Sequence, residues 1–255
     1  MKKSLLIMLC GIAGMAFAQQ GEQQVTTSAV FGSSSNSVGL FQNDENTLLI
    51  NVDDIQKIEG VASIRDFDNW QSQPNTEGSV MLFDDWAAKG YVYAGDKKYV
   101  FPKMNYDILE GAVVSKFKQD SIFNLGVTGY DKIVFNNTVF KSIFTPSRGG
   151  NAMYQVVFEC PDYSIVKEFA IEIREANPNP MINRNKRKII QKEYYYKLEG
   201  QRLTRFKLKK KTILAMAGVQ ADQLEAYAKG NRLSYKDDND VAQILIQLYK
   251  MQHQQ

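Results

Sequence analysis

The chain is poor in the residues that most often carry chemistry or covalent cross-links. It holds one histidine, His253, and two cysteines, Cys10 and Cys160, among 255 residues. Cys10 falls inside an N-terminal leader, so a processed chain keeps Cys160 alone and cannot form an internal disulfide. Stability then rests on a packed core. One thiol and one imidazole are too few ligands for a structural zinc site. A Cys160–His253 nucleophilic dyad would need a histidine near the chain end, where chains fray, to fold back onto the thiol. Cys160 reads instead as a small apolar residue at a strand end, before the Pro161-Asp162 turn. Long hydrophobic runs are missing too: no internal stretch approaches the roughly 18 to 20 apolar residues of a spanning helix, so no transmembrane helix is expected in the mature chain.

What is present begins with the leader. Lys2 and Lys3 precede an apolar core, Leu5 to Met15, and then Ala16-Phe17-Ala18, a small-x-small cleavage pattern. This predicts a signal peptide over 1–18, cleaved near Ala18, and a periplasmic or secreted product. Residues 19–46 are rich in Gln, Ser, Asn, Thr and Gly and read as a flexible polar segment. The remainder, with 44% hydrophobic and 11% aromatic residues over the whole chain, can bury the core of one or two domains.

The net charge is only +3, but it is unevenly placed. Residues 19–182 hold 13 Lys+Arg against 21 Asp+Glu, whereas 183–211 hold 12 against 2. Such a charge dipole points to an interaction surface or to self-pairing between the two regions.

From 47 to 176, short alternating runs separated by turn residues predict an antiparallel β-meander, a curved sheet or partly closed barrel. Gly95-Asp96 and Asn136-Asn137 are two-residue hairpin signals. Tyr154, Val156 and Phe158 alternate with Gln155 and Glu159. Ile165, Phe169, Ile171 and Ile173 alternate with Val166, Glu168, Glu172 and Arg174, one face dry and one wet. Asn177-Pro178-Asn179-Pro180 ends the run, and 177–192 reads as a Pro/basic linker.

Residues 193–252 are expected to form a basic hairpin and short helices that cap the sheet. The hairpin, Glu193 to Leu198 and Arg202 to Leu208 about Glu199-Gly200, would bury Tyr194, Tyr196, Phe206 and Leu208 and expose Lys197, Arg205, Lys207 and Lys209. Helices follow at Thr212 to Ala217, Asp222 to Lys229 and Asp238 to Met251. The last places Val241, Ile244, Leu245, Leu248 and Tyr249 on one stripe behind an acidic cap, Asp237 to Asp240. The fold class is mainly β, of α+β type.

Several stretches taken together resemble a widespread family of exported bacterial β-rich proteins with a C-terminal helical segment. They are Trp86 to Tyr93, Asn105-Tyr106-Asp107-Ile108, Glu193-Tyr194-Tyr195-Tyr196, Lys209-Lys210-Lys211, Leu224 to Tyr235 and Asp238 to Tyr249. The resemblance covers about two thirds of the chain and implies export and fold. It implies no activity, and residues 19–77 have no counterpart in it.

Catalytic patterns are sparse. Asp84 and Asp85 adjoin Trp86, but neighbours in a strand point to opposite faces and are poorly placed to share one glycosidic bond. Asp237-Asp238-Asn239-Asp240 lacks the glycine and distal glutamate of a calcium loop. Ser147 to Gly150 lacks the lysine of a phosphate loop. No metal or cofactor is expected.

The basic run is the chief candidate. Lys197, Arg202, Arg205, Lys207, Lys209 and Lys210, with Tyr195 among them, would meet an anionic envelope surface or an acidic protein partner; export argues against nucleic acid. The expected function is a non-enzymatic, exported interaction module. A carrier of a small apolar ligand, its cavity lined by Tyr106, Phe135, Phe158 and Phe169, is the second reading. A hydrolase with converging carboxylates is the third.

Overall fold

A computed structural model of the chain describes residues 47–49, 64–66, 76–118, 121–146, 149–177 and 186–253. The expected leader and polar segment, 1–46, lie outside the described residues, as does Pro178 to Pro180. The strands are β1 (Thr47–Leu49), β2 (Ile64–Asp66), β3 (Thr76–Glu77), β4 (Ala87–Ala94), β5 (Lys97–Asp107), β6 (Ala112–Lys118) and β7 (Ser121–Leu125). They continue with β8 (Lys132–Phe135), β9 (Thr138–Thr145), β10 (Gly150–Glu159), β11 (Ser164–Arg174), β12 (Arg187–Glu199) and β13 (Arg202–Phe206). Helices α1 (Lys210–Ala217), α2 (Ala221–Gly230) and α3 (Asp238–His253) follow, with a 3-10 turn, Gly218–Gln220, between the first two.

Among the described residues the thirteen strands form one mixed sheet, ordered β13-β12-β11-β10-β9-β8-β4-β5-β6-β7-β2, with β1 beside β5 and β3 beside β12. Neighbours along that path are antiparallel, and the two side pairs are parallel. The chain is therefore mainly β with C-terminal helices, the expected class. Asn136 and Asn137 both hold positive φ, 47° and 55°, and join β8 to β9 as the two-residue turn read from the sequence.

The sheet does not close, but it must curl. Glu77 pairs with Lys188 of β12, and Met81 bridges to Asp107 of β5. From 77 to 81 the chain reaches at most about 14 Å, whereas the six strand spacings from β12 to β5 would span about 29 Å in a flat sheet. The segment 76–83 is thus a strap that holds the curl. Gln191 of β12 reinforces it by donating to the Ser79 and Met81 carbonyls at 3.2 and 2.7 Å. At Gly78, where φ is 95°, a Cβ would stand 2.4 Å from the Ile189 carbonyl oxygen, so both conformation and close approach require glycine.

Two apolar clusters result. Inside the curl, Phe101, Met104, Tyr106, Ile133, Phe135, Phe140 and Phe169 pack together. The helices make the second. Ile213, Leu224, Val241, Ile244, Leu245 and Leu248, none of them measurably exposed, cover Val157, Phe158, Ile165 and Phe206. The expected stripe of α3 is therefore docked on the sheet. Asp237 caps that helix, its Oδ1 accepting from the Asn239 and Asp240 N–H groups at 3.0 and 3.1 Å.

Two boundaries differ from expectation. Residues 187–192, read as linker, are the first half of β12, paired along its length with β11. The hairpin turns at Gly200-Gln201, which pairs Glu199 with Arg202, Tyr195 with Phe206 and Tyr196 with Arg205. A one-residue slip exchanges the faces of a strand. Tyr195 and Lys197 therefore share the helix-covered side with Phe206, while Tyr194 and Tyr196 share the opposite side with Arg205.

Candidate functional site

The basic residues fall into two groups. Lys197 and Lys210 are paired within the chain, to Glu199 at 2.7 Å and to Glu225 at 2.6 Å. Arg205 lies over the Tyr194 and Tyr196 rings, 4.1 and 5.2 Å from their centroids, and donates to the Tyr196 hydroxyl at 3.0 Å. Arg202 is exposed beside Glu199, whose carboxyl is held below its ordinary value by Lys197 first and by Arg202 last. Lys207, Lys209 and Lys211, where β13 passes into α1, are exposed and have no carboxylate partner among the described residues.

Tyr195 does not join that surface. It lines a cavity of about 370 Å³ walled by the β8–β9 turn, the middle of β10, Lys167, Glu193 and the loop entering α3. Lys167 is the centre of its floor. The residue is 7% exposed, and its ammonium lies 2.5 Å from Asp238 Oδ2 and 3.3 Å from Glu193 Oε1. The Tyr195 hydroxyl is shared between Asp238 Oδ1 at 2.9 Å and Glu193 Oε2 at 3.1 Å. Gln155 donates more weakly to Asp238 Oδ2 at 3.5 Å. Burial first, then the Asp238 carboxylate, pushes the Tyr195 phenol well above its ordinary range. It is a fixed hydrogen-bond donor at neutral pH.

Lys167 escaped the sequence reading. On β11, Ile165, Lys167 and Phe169 alternate and point to one side; Ile165 belongs to the helix-covered cluster and Phe169 to the curl. A lysine on the dry face of an otherwise apolar alternation was the available signal. Its partner on α3 could not be seen from local pattern.

The remaining candidates are placed as follows. Tyr106, Phe135 and Phe169 stand in the curl, Tyr106 and Phe135 each stacked on Phe140 at 5.1 Å and Tyr106 tilted on Phe169 at 5.8 Å. Phe158 lies apart from them, under the helices. Asp84 and Asp85 are exposed in a bend, with Trp86 packed toward Val80, Met81 and Val114. His253 is the last residue of α3; its Nδ1 donates to the Tyr249 carbonyl at 2.9 Å and its Nε2 lies 3.6 Å from Asp162. The helix thus brings it beside the Cys160 turn, where the Cys160 thiol donates to the Tyr163 carbonyl at 3.2 Å. Both ring nitrogens and the thiol are engaged elsewhere.

Acids distant in sequence do converge in the cavity, yet all four oxygens of Glu193 and Asp238 face the ammonium or the phenol. A hydrolase would need one carboxyl kept free to give up a proton. The arrangement suits binding and the anchoring of α3 to the sheet. Among the described residues no helix is long and apolar enough to cross a membrane. Comparison of the chain with protein-family models, with curated proteins and with solved structures returned no match.

Proposed function

We propose that the chain is an exported, non-enzymatic binding protein whose strand-to-helix surface, Lys207, Lys209 and Lys211 beside Arg205, meets an anionic membrane of the cell envelope. One observation carries this reading: these three lysines are exposed and, among the described residues, uncompensated, while Lys197 and Lys210, close in sequence, are each neutralised by a glutamate. Unpaired cations on one short stretch give a field that anionic head groups complement, at about 1 kcal/mol per lysine near the surface. The leader pattern at 1–18 supports export. The cluster of rings inside the curl makes the apolar-carrier reading the weaker one, because those side chains occupy one another's space.

The test is co-sedimentation with vesicles that contain or lack phosphatidylserine. Binding is expected only to the anionic vesicles and should weaken as salt is raised. Lys207→Gln, Lys209→Gln and Lys211→Gln together should lower it roughly 100-fold, three contributions of about 1 kcal/mol each. Association indifferent to salt and to the triple change, or none at all, would overturn the reading.

A further inference from the structure

The cavity beneath the start of α3 has a chemistry of its own, independent of the basic surface. At its floor Lys167, Glu193, Asp238 and Tyr195 are bonded to one another. An anionic ligand would face three carboxylates, those of Glu193, Asp237 and Asp238, against Lys236 and an already paired Lys167, and a cationic one would compete with Lys167 for Glu193 and Asp238. A neutral ligand that donates as well as accepts has to break none of these bonds.

The rim supplies the complementary groups. Among the described residues the side-chain amides of Asn136, Asn137 and Asn239 make no hydrogen bond within the chain, and Gln155 uses only its NH₂, at 3.5 Å from Asp238. Each carboxamide offers donors and an acceptor. Three of the four carboxylate oxygens below, all but Asp238 Oδ2, retain a lone pair beyond their present contact. Hydroxyl groups, which give one hydrogen bond and receive others, match both sets.

The site is also prepared in advance. Asn136 and Asn137 are held at positive φ in a two-residue turn between paired strands, Gln155 lies within β10, and Tyr195 is pinned by two carboxylates. Donors and acceptors fixed on rigid elements lose little freedom on binding. The volume, about 370 Å³, falls in the range of roughly 300–1,000 Å³ typical of small-molecule sites.

We propose that this cavity binds a neutral polyhydroxylated ligand, a saccharide unit, with the carboxamides at the rim and the Glu193–Asp238 pair at the floor bonding its hydroxyls. The experiment is an NMR titration of the full chain, ¹⁵N-labelled, with glucose, galactose, mannose and N-acetylglucosamine, and with ethylammonium and acetate as charged controls. At least one sugar should give saturable shifts at the Asn136, Asn137, Gln155 and Asn239 side-chain amides. Asn239→Ala, at an exposed helix position where folding is not at stake, should weaken that sugar about threefold to tenfold, one hydrogen bond's worth. The triple lysine-to-glutamine variant should leave it unchanged. No saturable shift with any of the four sugars, shifts confined to residues outside the cavity, or saturation by a charged control alone would overturn the proposal.

Discussion

Lys167 is the residue on which the two halves of the molecule meet. Taking an ammonium out of water costs several kcal/mol, and only well-placed opposite charges offset it. Here Glu193 comes from the neighbouring strand β12 and Asp238 from α3, so the shorter of the two contacts forms only when helix and sheet are docked together. Lys167→Met should strand two carboxylates and cost about 2–3 kcal/mol, the low side for a buried pair because Glu193 and Asp238 keep some contact with solvent. Asp238→Asn should cost a similar amount, and the double variant less than the sum of the two. Urea unfolding of the four proteins measures the coupling, and strict additivity would contradict the account. The sequence showed this site only as a blemish: Ile165 and Phe169 mark the dry face, and the lysine between them breaks it. Nothing local pointed to Asp238, which belongs to the acidic run that reads as a helix cap.

At the level of elements, local signals were legible where they are local in nature. The Asn136-Asn137 turn, the C-terminal helices and the docked stripe of α3 all follow from neighbouring residues. Register did not. The strand ends expected at Leu198 and Arg202 leave three residues between them, whereas the chain turns through two, Gly200-Gln201; that one-residue difference in register exchanged the faces of β12, which moved Tyr195 from the helix side to the exposed one and Tyr196 the other way. Both faces of that strand carry tyrosine and lysine, so composition could not correct the slip. The cap of α3 is a sharper case. Asp237 accepts from two N–H groups, whereas Asn239 uses only its backbone. Asp237→Ala should therefore lower stability by about 1 kcal/mol, while Asn239→Ala should change it by less than about 0.5 kcal/mol. Thermal melts of the two variants side by side decide this; equal losses would mean the cap contributes nothing.

For the molecule as a whole, the curl was beyond local reading because its closure joins residues far apart. Gln191 reaches back to Ser79 across 112 positions, and β3 finds β12 only once the rest of the sheet exists. The curl encloses Tyr106 and Tyr130, and the helix-covered cluster takes in Tyr163, which gives the fold an alkaline limit. Burial, ahead of every other cause, pushes the Tyr106, Tyr130 and Tyr163 phenols well above their ordinary value of 10.0. Between the unfolded and folded values the unfolded chain has released a proton that the native chain still holds, so stability falls as pH rises. This contribution is whole below about pH 10 and declines above it. For Tyr106, 3% exposed, the decline is about 1.4 kcal/mol per pH unit. Urea midpoints followed from about pH 9 to about pH 11 should therefore drop. Tyr106→Phe should shallow the drop by that one increment, since a ring without a hydroxyl has no proton to lose. An unchanged slope in that variant would place the alkaline sensitivity outside the curl and undercut the view of Tyr106 as sealed within it.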